Sequence, residues 1–244
     1  MARLTRRGAL GVLSSPGVAA VAAACRSSTT APSSGSGSTT STTSGGTTNG
    51  SACVVSPEET IGPYPDNTGM LNNPAFYRKD VTEGRPGTAL ALNLTVVNVK
   101  SGCSPVADAA VEIWQCDASG NYSEYAQPGF NGTGQTFLRG LQTTNASGTA
   151  SFSTIYPGWY NGRATHIHVN VYVNKQRVKV TQIAFPESVS TQVYGQGVYA
   201  SKGQNTTSNA RDNVFSDGVN DELATLSGAI GAGLTASLTI GISV

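Results

Sequence analysis

Arg163-Ala164-Thr165-His166-Ile167-His168-Val169 contains the only two histidines of this 244-residue chain. Outward from it, Thr165 to Val173 is dense in Val, Ile, Thr and Tyr, the composition of a strand. Side chains alternate across a strand, so His166 and His168 share one face and Ile167 takes the other. Two imidazoles on one rigid face are half of a metal site. The plainer reading, a pair of surface or structural histidines, loses weight because the chain uses histidine nowhere else.

The flanking segments repeat the strand signal. Leu90 to Val99 alternates in part, and Ser101 to Ala107 carries the Gly and Pro of a turn. Ala110 to Gln115, Phe137 to Thr143, Gly148 to Ile155 and Val178 to Phe185 are short and bounded by turn residues, and Leu234 to Val244 reads as a closing strand. Asn220 to Ile230 reads as a short helix, against its glycine content. No internal repeat is visible. Many short strands at regular spacing predict an all-β fold, a sandwich of mostly antiparallel strands.

Only 12% of residues are charged and the formal net charge is +1. That balance argues against nucleic acid, which needs a basic face. Residues 1–25 read as an export signal. Arg6-Arg7 precede a small apolar run, as in twin-arginine signals, while an ordinary secretory signal is the alternative. Ala22-Ala23-Ala24-Cys25 resembles a lipoprotein cleavage box without its usual Leu, so Cys25 would carry lipid and be the sole membrane attachment. The chain would then be a cell-surface lipoprotein or a secreted protein. Residues 26–52 are a Ser/Thr/Gly-rich linker that cannot form a core. Residues 53–244 remain as one domain. In an exported protein a disulfide is permitted. Cys53 is expected to bond Cys103 or Cys116, with the choice open.

The metal needs more ligands. No Cys pair has zinc spacing and no Asp-rich loop resembles a calcium site. Two strand-like runs end in a glycine turn and a tyrosine: Glu112 to Tyr122, and Ile155 to Tyr160. An isolated phenol stays neutral at pH 7, but a nearby trivalent cation favours its anion. Two phenolates and a hydroxide would neutralise a 3+ ion, so two Tyr and two His suit ferric iron, Fe(3+), better than zinc.

These motifs resemble the intradiol ring-cleavage dioxygenase family, in particular its extracellular branch. Glu112 in a strand is followed by Gly120-Asn121-Tyr122. Then come Pro157-Gly158-Trp159-Tyr160, Arg163 with His166 and His168, and Thr181-Gln182 before apolar residues. Gly62-Pro63-Tyr64 resembles the family's opening, and the matches span about residues 53 to 220. The loop from Tyr160 to His166 is shorter than in the larger members. The resemblance implies iron held by Tyr122, Tyr160, His166 and His168. It implies a catechol bound through both oxygens and cleaved with O2 to a muconate-type diacid. Tyr160 would leave the metal and act as base. Arg163 would stabilise the carbanion-like substrate, and Gln182 would line the pocket. Arg163 is an odd number of residues from His166, so it reaches the metal only if residues 163–165 are irregular. Trp159 and Tyr64 are expected to wall the pocket, and Trp114 to lie in the core.

Two other classes compete. One is a non-catalytic surface β-sandwich that only binds, with neither metal nor colour. The other is a zinc hydrolase using His166 and His168 with Glu112 or Asp117, colourless and chelator-sensitive. The preferred catechol and the oligomeric state are left open by the sequence.

Overall fold

The computed structural model describes residues 53–244. The expected export signal and linker, with Arg6, Arg7 and Cys25, lie outside them. The strands are β1 (Ala89–Asn98), β2 (Ser104–Pro105), β3 (Ala110–Trp114), β4 (Ala126–Gln127), β5 (Phe130–Asn131) and β6 (Arg139–Thr143). They continue with β7 (Thr149–Ile155), β8 (His166–Val173), β9 (Gln176–Ala184), β10 (Thr225–Ala229) and β11 (Gly233–Ile242); the α-helix α1 spans Glu187–Tyr194.

Two sheets form a β-sandwich, as the strand pattern predicts. One has the order β10-β11-β1-β2, with β7 also paired to β1; the other is β6-β3-β8-β9. β1 runs parallel to β11, and the second sheet is antiparallel throughout. β1 buries Leu90, Leu92, Leu94 and Val96 by strict alternation. They meet Val111, Ile113, Ile167, Val169, Val171 and Ile183 of the facing sheet in one core cluster. Each such side chain contributes on the order of 1.5–3 kcal/mol by leaving water.

Three details differ from, or complete, the sequence reading. Asn220 to Ile230 forms no helix; Thr225–Ala229 is β10, paired antiparallel to β11 through a glycine-containing turn. Gly228 sits at φ 94°, which is compatible with that hairpin and not with a helix. The helix α1 has no apolar repeat long enough to announce it, and buries only Ser190, Val193 and Tyr194. The disulfide joins Cys53 to Cys103, while Cys116 is a free, buried thiol. No described helix is long and apolar enough to cross a membrane.

Candidate metal centre

β8 starts at His166, and its first residues present two faces. Ile167 lies in the sandwich core, while His166 and His168 point the other way, both nearly or wholly buried. Sheet register sets His168 in a row with Trp114 of β3 and Gln182 of β9. The Trp114 indole stacks on the His168 ring, with centroids 4.6 Å apart and planes 4° from parallel. Trp114 is therefore core, as expected, and also a floor for the site. Gly62 presses backbone against the same imidazole. A Cβ there would come within 2.7 Å of His168 Cε1, and its φ of 74° is left-handed.

The two tyrosines arrive on a pair of turns packed back to back. A side chain on Gly120 would strike the Trp159 carbonyl, and one on Gly158 would strike the Asp117 carbonyl. The Asp117 carboxylate ties down its own turn by accepting from the Ser119 and Asn121 amides, each at 2.9 Å. This contact places the Tyr122 and Tyr160 rings 5.7 Å apart, edge to face. Tyr122 is fully buried and Tyr160 is half-buried.

Four donor atoms converge. His166 Nε2 lies 3.2 Å from His168 Nε2, 3.4 Å from Tyr122 Oη and 3.4 Å from Tyr160 Oη. His166 Nδ1 sits 2.7 Å from the Ala164 carbonyl, which fixes the proton on Nδ1 and leaves the Nε2 lone pair bare. His168 Nδ1 is buried with no partner. Burial pushes the Tyr160 phenol up to about 12 and Tyr122 well above the ordinary phenol range. It takes His166 down to about 3 and holds His168 well below the usual imidazole value. Folding alone thus gathers neutral phenols and neutral imidazoles around one point. A multiply charged cation reverses the phenol preference. Two hard oxygens and two imidazole nitrogens are a donor set that fits ferric iron. Burial drives the nearby Cys116 thiol up to about 12, so it offers no thiolate.

Arg163 stands in the irregular stretch before β8. Gly162 has φ 84° and the Arg163 amide donates to the Tyr160 carbonyl at 3.2 Å, so the odd offset from His166 no longer turns it away. Its Nη1 donates to Tyr160 Oη at 3.3 Å and lies 3.4 Å from His166 Nε2. Its Nη2 donates to Gln182 Oε1 at 2.5 Å. Its Nε donates to both carboxylate oxygens of the buried Asp212, at 2.9 and 3.0 Å. Sequence reading missed Asp212, since a lone Asp 49 residues downstream carries no local signal.

The remaining site expectations divide. Tyr64 stacks on Tyr122, with centroids 4.7 Å apart, and so stands at the site. Trp159 packs against the sandwich core cluster and donates its Nε1 proton to the Gly203 carbonyl at 3.0 Å. Glu112 accepts from the Tyr172 hydroxyl at 2.8 Å, and Asp117 is committed to its turn. Among the described residues, no carboxylate forms a metal-sized group with the two histidines. The zinc-hydrolase reading therefore lacks its third ligand.

A family model described as Dioxygenase matches residues 61–204. An intradiol ring-cleavage dioxygenase from Tetranychus urticae is 30% identical with a TM-score of 0.71, over 78% of this chain and 95% of that one. The dioxygenase domain of a carbohydrate-binding fusion protein from Streptomyces sp. SirexAA-E is 25% identical with a TM-score of 0.57, over 78% of this chain and 99% of that one. A 3-chlorocatechol 1,2-dioxygenase from Rhodococcus opacus 1CP shares the fold at 18% identity and a TM-score of 0.52, over 77% and 72%. No curated protein matches. This chain belongs to the intradiol ring-cleavage dioxygenase family, and is an oxidoreductase of that class.

Proposed function

We propose that this protein cleaves catechol-type rings between their hydroxyl-bearing carbons, using O2 and ferric iron held by Tyr122, Tyr160, His166 and His168. The observation that carries this reading is the convergence of two phenol oxygens and His168 Nε2 on the bare Nε2 of His166, all within 3.4 Å. Ferric iron, when bound there, supplies a Lewis acid that draws electron density from a catecholate and opens its ring to O2.

The chain's own residues divide the remaining work. Tyr160 is the more exposed phenol, so an entering catechol meets it first, and its phenolate accepts a substrate hydroxyl proton. Tyr122, fully buried and stacked on Tyr64, stays in place. The Tyr64 ring borders the space where an aromatic substrate lies. Arg163 presents a fixed positive charge beside Tyr160 and His166, where negative charge develops on the substrate ring. Gln182 holds the guanidinium through Nη2 while Asp212 holds it through Nε, and Gln182 adds no charge.

The product is a muconate-type diacid. Metal analysis, the visible spectrum and product identification on the purified protein test this reading together. We expect iron near one per chain, phenolate-to-iron colour, and a ring-opened diacid from catechol. A colourless, iron-free preparation that still cleaves catechol overturns the assignment. A colourless protein without activity favours a binding module.

The location outside the cell is part of the same proposal: twin-arginine export and a lipid on Cys25, with the Ser/Thr/Gly stretch as tether. Cys25→Ser should release the protein from membranes. Retention of that variant on membranes removes the lipid from the account.

A further inference from the structure

The outer edge of β9 carries a second cluster of ligand-bearing side chains, made of residues other than the four donors. β9 is the outer strand of its sheet, and two distant segments cover its edge. The Glu59 amide donates to the Val180 carbonyl at 2.9 Å. The Ala184 amide donates to the Glu222 carbonyl and the Ala224 amide donates back to Ala184, both at 2.9 Å. Glu59, Asp217 and Glu222 thereby bring carboxylate oxygens within 4.8 Å of one another.

Glu222 is fully buried. Its Oε1 accepts from Thr181 Oγ1 at 3.0 Å and from the Gln182 amide at 3.4 Å. Its Oε2 has no partner, so Glu222 brings a buried, undonated carboxylate oxygen to the group. A buried carboxylate oxygen without a donor is costly, and three like charges at this spacing repel. Among the described residues no Lys or Arg forms an ion pair with any of the three. The neighbouring Arg163 is committed to Asp212. Burial and mutual repulsion push Glu59 up to about 7 and Glu222 up to about 8.

We propose that Glu59, Asp217 and Glu222 bind a calcium ion at the edge of β9. The donors are all hard oxygens. Their spacing fits within the span of two oxygens across a calcium ion, roughly 4.6–5.2 Å for bonds of about 2.3–2.6 Å. Asp217 is exposed, so waters can complete the shell, and calcium accepts the irregular geometry that magnesium resists. The ion clips together two segments that sequence keeps far apart. One carries Thr60, whose carbonyl accepts from Gln182 Nε2 at 2.9 Å; the other begins with Asp212, the partner of Arg163. The ion stiffens the mount of Arg163 and Gln182 without touching either.

The test is calcium titration of the iron-loaded full-length protein in chelating-resin-treated buffer at neutral pH. It is followed by calorimetry and thermal melting, against choline chloride of equal ionic strength. We expect one calcium per chain, with a dissociation constant on the order of 10⁻⁴–10⁻³ M, as for open extracellular sites. At tenfold excess the melting temperature should rise by about 3–6 °C. Glu222→Gln and, separately, the exposed Asp217→Asn should lose both signals. No heat and no shift in the wild type would overturn the proposal, as would an undiminished shift in Asp217→Asn.

Discussion

The two faces of β8 divide the work of the molecule between adjacent residues. Ile167, Val169 and Val171 enter the apolar core against the β1 leucines, where every contact favours folding. One pleat away, His166, His168 and Asn170 are just as buried, yet His168 Nδ1 and Asn170 Oδ1 find no partner. An apolar face is satisfied by packing alone. The histidine face holds bare lone pairs that burial makes unfavourable, which is expected where function overrides stability. Stability and chemistry here are separated by one residue, not by one domain.

The largest effect is expected from His166→Ala. It removes the atom on which the other three donors converge, so we expect loss of iron, loss of visible colour and no detectable catechol cleavage. Circular dichroism should still report a folded sheet. Wild-type colour and turnover in this variant would take His166 out of the site.

A smaller effect is expected at Arg163, which touches the site from outside the strand. Arg163→Ala should retain iron and colour and still bind catechol. Its kcat should fall by about two to three orders of magnitude, the usual cost of losing a preorganised charge donor. Lysine should rescue only part of this, because it cannot address Asp212, Gln182 and Tyr160 with one planar fork. Normal turnover in Arg163→Ala would mean that the guanidinium serves the Asp212 pairing alone.

Ile167→Ala tests the other face and should leave the chemistry nearly untouched. Truncating a fully buried isoleucine costs about 2–5 kcal/mol. In a domain of this size that lowers the melting temperature by about 4–20 °C. Iron content and kcat per folded molecule should match the wild type. A fall in kcat without loss of folded protein would show that the two faces are coupled through the strand.

Much of this was legible locally. Period-two alternation foretold the divided strand and the sandwich. The Gly-x-Tyr and Pro-Gly-x-Tyr turns marked Tyr122 and Tyr160, although the reason for their glycines, two turns packed carbonyl to Cα, is visible only in three dimensions. The helix α1 and strand β10 were lost to weak patterns: the first too short for an apolar period, the second obscured by glycines.

By itself the sequence determined which chemistry was available. His166 and His168 must share a face because strand periodicity is a property of the backbone. Tertiary structure decided what those residues meet. Sheet register set Trp114 beneath His168, and the break before β8 freed Arg163 from the strand's alternation. Long-range packing chose Cys103 over Cys116 for Cys53, and Asp212 for Arg163. Such pairings depend on contacts between segments tens of residues apart, and no local pattern encodes them.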